Sequence, residues 1–129
     1  MTRYVLDASA GVDLLLNTEV GQQLQIEPDA EWWVPEHYFV EVSSAIRRAE
    51  MMTAITAEQT AVALRSLREA PLRIVSIRPL LDDAWTRRKN LTVADALYVV
   101  LAVHIGAALV TTDLRLTRSP ALGVPVVTP

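Results

Sequence analysis

Cysteine is absent from the 129 residues, and this removes thiolate zinc sites and disulfide frameworks together. The absence also suits a reducing cytoplasm, the compartment expected here. Glycine is scarce, with four in the chain and no glycine-rich run, so a phosphate-cradling P-loop is excluded. Lysine is nearly missing: Lys89 is the single one beside eleven arginines. A phosphorylation-regulated receiver domain needs a Lys after its last strand and adjacent acids after its first, and neither is present. Long apolar runs are lacking too. The longest, Ala96 to Val110, is interrupted by His104 and falls short of the roughly 18 residues that span a bilayer, so it reads as buried core. Asp7 and Asp13 break the only apolar stretch near the N-terminus, so no secretory signal and no membrane association are expected.

What is present suits one compact domain over residues 1–129. Hydrophobic residues make up 51% of the chain and charged ones 21%, enough for a core that needs no staple. The net charge of -3 is not the usual footprint of a nucleic-acid binder. That sign is misleading if several carboxylates hold divalent cations, which reverse the local field. The paired arginines Arg47-Arg48 and Arg87-Arg88 suit bidentate phosphate contacts, or simply solvated helix faces.

Along the chain, Tyr4 to Leu6 reads as a buried strand ending at Asp7, and Val12 with Leu14 to Leu16 as a first helix. A short helix over Val20 to Ile26 follows, broken by Pro28 and Asp29. Trp32 to Val34 is a second strand, with Pro35 as the first residue of a long helix whose core face is Tyr38, Val42, Ala45, Ile46 and Ala49. Thr56 and Gln59 form a capping-box pair for a helix running to about Glu69. Ile74 to Ile77 is a third strand, followed by a helix from about Leu81 to Lys89. Thr92 opens the most apolar helix, Val93 to Ile105, closed by Gly106. Ala108 to Thr111 is a strand, and Val124 to Val127 an edge strand, where Pro125 is tolerated. Strands alternating with helices predict a three-layer α/β/α sandwich around a mainly parallel sheet.

In such a sheet the site lies beyond the carboxyl ends of the strands. Asp7 and Asp113 follow strands there. Glu41 flanks the core face of the long helix, and Asp95 lies in a helix with almost no other polar residue. A buried carboxylate is costly unless it is paired, hydrogen-bonded or bound to metal, so Asp95 is the most informative of the four. Together Asp7, Glu41, Asp95 and Asp113 supply hard oxygen ligands of the kind Mg²⁺ or Mn²⁺ takes, able to activate water against a phosphate. Each acid also has an ordinary alternative. Asp7 or Ser9 can cap the first helix, Asp95 can complete a capping box with Thr92, Glu41 can be an exposed helix acid, and Asp113 a turn residue.

With these residues in place the sequence resembles the PIN-domain family, most closely its VapC-type toxins of bacterial type II toxin–antitoxin modules. The match lies in Val5-Leu6-Asp7-Ala8-Ser9, in Glu41-Val42 with Ala45, in Thr92-Val93-Ala94-Asp95-Ala96-Leu97, and in Leu109-Val110-Thr111-Thr112-Asp113. Each motif is weak alone; their order and spacing, over nearly the whole chain, are specific. The resemblance implies a Mg²⁺- or Mn²⁺-dependent endoribonuclease, a homodimer or a hetero-oligomer with its antitoxin. Asp7, Glu41, Asp95 and Asp113 are then the metal-binding, water-activating acids. Ser9 and Thr112 are supporting polar positions that hold carboxylates or bound water. The small cognate antitoxin, VapB-like, is expected to lay its C-terminal segment over the site and to bring an Arg to the acids. One departure stands out: some relatives carry another acid two residues beyond Asp113, where this chain has Arg115. The expectation is therefore one metal held by the free enzyme and a second recruited with RNA.

Other features carry less. His37 and His104 have no neighbouring ligand residue at metal spacing, and His104 reads as a partly buried group near a helix C-terminus. Of Trp32 and Trp33, one indole is expected in the core and the other exposed. Two further readings stay open at this level: a PIN-like module that binds without cutting, and a metal-dependent phosphatase using the same ligands.

Overall fold

The computed structural model of the chain describes residues 1–119 and 122–129. Five strands, β1 (Arg3–Leu6), β2 (Glu31–Pro35), β3 (Arg73–Val75), β4 (Ala108–Val110) and β5 (Val126–Val127), form one sheet in the order β3-β2-β1-β4-β5. All four pairings are parallel. The helices are α1 (Ala8–Leu15), α2 (Glu19–Gln22), α3 (Tyr38–Met51), α4 (Ala57–Glu69), α5 (Leu81–Thr86, entered through a 3₁₀ turn at Arg78–Leu80), α6 (Val93–Ile105) and α7 (Leu114–Thr117). Connections between β1, β2 and β3 carry α1, α3 and α4, which pack on one another. The return from β3 to β4 carries α5 and α6 across the other face, as right-handed crossovers require when the strand order reverses. The three-layer sandwich expected from the sequence is thus formed, with an entirely parallel sheet.

Burial explains the central elements. Val5, Val34 and Leu109, one from each of the inner strands, are fully buried, and so is every residue from Ala96 to Ala102 in α6. A parallel sheet covered on both faces calls for such continuous apolar runs. Thr92 caps α6 through a bond from Asp95 N, 3.1 Å, and Gly106 ends it at φ 65, a left-handed position that glycine occupies without Cβ strain. Both halves of the Thr56–Gln59 capping box are present at the start of α4. Gly11 has a different reason for its identity. A Cβ there would lie 2.8 Å from Cε2 and 2.9 Å from Cζ of the buried Tyr38 ring, so this glycine lets α1 and α3 approach.

Several boundaries differ from expectation. Pro35 does not open α3; it is the buried last residue of β2, opposite Val75, and the helix starts at Tyr38. The chain needs two further residues to turn from strand to helix. The second helix is limited to Glu19–Gln22, β3 begins one residue earlier and ends at Val75, and α5 stops at Thr86 in a series of turns. The last strand is confined to Val126–Val127, with Pro125 contributing its carbonyl to Leu109 N at 2.9 Å, an edge contact that needs no N–H from the proline. Neither indole is exposed. Trp32 packs on Tyr4 at 4.9 Å between ring centroids, while Trp33 donates to Glu31 and lies under the Arg73 guanidinium. His104 is exposed rather than partly buried, with its Nε2 2.8 Å from Asp83. No helix among the described residues is long and apolar enough to cross a membrane.

Candidate acid site

The strand order reverses between β1 and β4, and chains leaving the two strands pass to opposite faces of the sheet. That divergence opens a crevice at their carboxyl ends, the usual ligand position in sheets of this kind. Asp7 continues β1 and bonds through its N–H to Val110 O at 3.1 Å, which fixes it beside the end of β4. Its Oδ1 accepts from Ala10 N at 2.9 Å and from the Ser9 hydroxyl at 2.7 Å. Asp7 therefore does cap α1, as the ordinary reading has it, yet it is only 5% exposed and carries an electrostatic burden that a cap does not need. Burial pushes its carboxyl up to about 6; bonds from Ala10, Thr111 and Ser9 oppose this, and the nearby Asp95 adds to it.

Asp95 stands in the first turn of α6. Burial is again the main cause of a raised pKa, with Asp113 and Glu41 adding repulsion, against the Thr92 hydroxyl and the more distant Arg115. The cap of α6 is made by the Thr92 side chain on Asp95 N, so the carboxylate itself is not needed for it. Glu41, in the first turn of α3, accepts from the Tyr98 hydroxyl at 2.6 Å through Oε1. His37 Nε2 lies 3.5 Å from the same oxygen and 2.9 Å from Ala94 O. A carbonyl can only accept, so Nε2 carries the proton; Nδ1 is buried without a partner. The His37 and Tyr98 rings stack at 4.6 Å, joining α3 to α6 beside the acids.

Asp113 caps the short α7 and is held in a fork. Arg115 donates from its backbone N at 3.0 Å and its Nε at 3.2 Å to Oδ1, and from Nη2 at 2.9 Å to Oδ2. This pairing lowers its pKa, the opposite of Asp7 and Asp95. Asp95, Asp113 and Arg115 line one cleft of about 210 Å³ together with Asn90, Leu91 and Thr92.

Of the predicted supporting residues, Ser9 holds Asp7 directly, and its oxygen also receives Thr112 N at 3.1 Å. Thr112 serves an acid outside the predicted set: its hydroxyl donates to Asp13 Oδ2 at 2.6 Å, and Thr18 donates to the other oxygen at 2.8 Å. Asp13, Thr111 and Tyr98 were not singled out by sequence reasoning, and His37 was set aside by it. Asp13 follows Ser9 by four residues on α1 and Tyr98 follows Asp95 by three on α6, so helical spacing carried a signal for both. Thr111, fully buried, ties Ser9 at 3.2 Å to the N–H of Asp113 at 3.0 Å.

The four predicted acids are thus electrostatic neighbours around Asp95. As the side chains stand, no three acids or histidines among the described residues converge on one ion position. The donor chemistry nevertheless fits a hard divalent cation. All four are carboxylates, and two of them, Asp7 and Asp95, are raised by burial and by repulsion from neighbouring acids that a bound cation would relieve.

Comparison with known proteins gives one consistent answer. A sequence model of the PIN domain matches residues 4–122. Ribonuclease VapC3 of Mycobacterium tuberculosis is 40% identical over 120 residues, 91% of this chain and 87% of that protein. Among solved structures, the fold is shared with VapC20 of Mycobacterium tuberculosis, a sarcin-ricin-loop-cleaving toxin, at a TM-score of 0.71 with 16% identity over 98% of this chain and 99% of that one. It is shared also with VapBC2 of Rickettsia felis bound to a fragment of promoter DNA, at a TM-score of 0.65 with 16% identity over 98% and 99%. With the match covering β1 through the α7 region and identity sustained over nine-tenths of its length, the chain belongs to the PIN-domain family.

Proposed function

We propose that this chain is an endoribonuclease that uses Mg²⁺ or Mn²⁺, the toxin of a type II toxin–antitoxin module, held in check in the cytoplasm by a small VapB-like antitoxin. The observation that carries the reading is that Asp7, Glu41 and Asp113 are each electrostatic neighbours of Asp95 at the β1/β4 switch point, in a chain 40% identical to a named ribonuclease. A divalent ion held by these acids would supply neutralising charge and an activated water for attack on a phosphodiester.

The chain's own residues prepare that chemistry. Ser9 and Ala10 N fix one Asp7 oxygen and so set the carboxylate plane before any ligand arrives. Thr92 anchors the start of α6 and so positions Asp95. Tyr98 and His37 hold Glu41 against rotation away from α6. Thr111 and Thr112 lock the β4 exit to α1, which keeps Asp113 at the same carboxyl edge of the sheet as Asp7. Such positioning by residues already committed to hydrogen bonds is what holds a catalytic group within reach of its target.

The test is cleavage of total cellular RNA by the purified chain with Mg²⁺, with Mn²⁺ and with chelator, read by sequencing the new RNA ends. Cleavage at discrete sites that chelator stops and Asp95→Asn abolishes, with circular dichroism unchanged, is expected. Cutting at wild-type rate by Asp95→Asn would refute the assignment of the site. Co-expression with the product of a short adjacent reading frame should suppress the activity and yield a co-purifying complex, and size-exclusion chromatography should return a dimer of the free chain.

A further inference from the structure

The four acids are not treated alike by their surroundings. Among the described residues Asp7 and Asp95 face no basic group at bonding distance, whereas both oxygens of Asp113 are taken by Arg115. The fork is a parallel pair of N–H···O bonds to one carboxylate, reinforced by the Arg115 backbone N–H, the geometry in which guanidinium holds carboxylate or phosphate best. Arg115 is also free on its other side: its side chain is 87% exposed and lines the cleft that Asp95 and Asp113 share. A divalent ion on Asp113 has to share Oδ2 with this guanidinium or displace it.

We propose that Arg115 is the second cation of the site: its guanidinium stands on Asp113 where a second divalent ion would otherwise be held, and presents that charge to a phosphate of bound RNA. The proposal rests on the ribonuclease reading above and goes beyond it by fixing the metal count and one phosphate contact. A second ion need not then be recruited with RNA. The guanidinium has five donors and spends two on Asp113, which leaves three N–H groups for a phosphate oxygen. A net charge of -3 is compatible with RNA binding under this arrangement, because positive charge is delivered at the scissile region and not spread over the surface.

Two measurements test it, neither depending on turnover. The first is calorimetric titration of Mn²⁺ into metal-free protein, with and without a labelled oligoribonucleotide in which methylene replaces the bridging oxygen that would leave, so that water cannot cleave it. Wild type should take one ion in both cases, Arg115→Asp two, and Asp95→Asn none. Two ions on wild type in either case, or one on Arg115→Asp, would overturn the proposal while leaving the ribonuclease reading intact. Equal binding by Asp95→Asn and wild type would remove the metal centre itself, and the proposal with it. The second is binding of the same oligoribonucleotide in chelator. Arg115→Ala should bind roughly tenfold more weakly, with a salt dependence reduced by about one phosphate contact, and Arg115→Lys should recover the salt dependence but only part of the affinity. Unchanged affinity and salt slope in Arg115→Ala would refute the phosphate contact, and melting curves check that each variant is folded.

Discussion

Replacing Asp7 by Asn should make the metal-free protein more stable at neutral pH and less stable in mild acid. Asp7 is 5% exposed and its carboxyl is pushed from 3.8 to about 6, chiefly by burial. Between about pH 4 and about pH 6 the folded chain holds a proton that the unfolded chain has released, so stability falls as pH rises through that window and is level above it. At about 1.4 kcal/mol per unit the loss is about 3 kcal/mol by pH 7. Asn keeps the oxygen that accepts from Ser9 and Ala10, and it ranks with Asp as a helix cap, so α1 retains its start. Its amide hydrogens are new to a buried place, and leaving one unpaired costs about 1–2 kcal/mol. The variant should therefore gain about 1–2 kcal/mol at pH 7, roughly 3–8 °C in Tm for a chain of this size, and lose a similar amount near pH 4. Thermal melts in chelator across that range should cross near pH 5, the variant's curve being flatter. Saturating Mn²⁺ should reverse the order at pH 7, because an ion at a hundred times its Kd adds about 2.7 kcal/mol to wild type alone. A variant that melts below wild type at pH 7 in chelator, with a parallel pH profile, would refute the account of Asp7 as a strained acid awaiting a cation.

Gly11→Ala should cost about 2 kcal/mol despite the better helix propensity of alanine, since the new methyl meets the buried ring of Tyr38; chemical denaturation reads it directly, and a stabilised variant would deny the close approach of α1 and α3. Tyr98→Phe removes the hydroxyl on Glu41 and should lower kcat roughly tenfold with KM unchanged, a split that general loosening of the core would not give. Thr56→Ala removes the hydroxyl that accepts from Gln59 N, leaving the backbone half of the capping box, and should cost about 1 kcal/mol with full activity, because no residue of that box touches the acids.

Much of the fold was legible because its signals are local. The apolar runs of β1 and β4, the Thr56–Gln59 box, and the Thr92 and Gly106 ends of α6 each depend on a few adjacent residues, and each formed where expected. The misread boundaries have tertiary causes. Pro35 suits a helix start by itself, but its partner Val75 draws it into the sheet. His104 lost its burial to a partner on α5, Asp83, which no spacing within α6 foretells. The same division runs through the site. Asp7, Asp95 and Asp113 were visible as acids at strand ends or in an apolar helix. The Thr112–Asp13 bond, the Tyr98–Glu41 bond and the Arg115 fork needed three-dimensional proximity to be seen, and the last reversed the electrostatic state of one of the four acids.

The pairing of β1 with β4 has a consequence in time. Ser9 and Thr111 touch although 102 residues separate them, and the centre of the sheet is closed by a strand that begins at Ala108. A ribosome adding about 5–20 residues per second therefore exposes most of this chain for several seconds before its first and last acids can meet. Until β4 is made, the growing polypeptide cannot bring Asp113 beside Asp7 and Asp95, so the candidate acid site stays incomplete. A site completed only by its last central strand leaves the ribosome, and any partner translated beside it, that same delay.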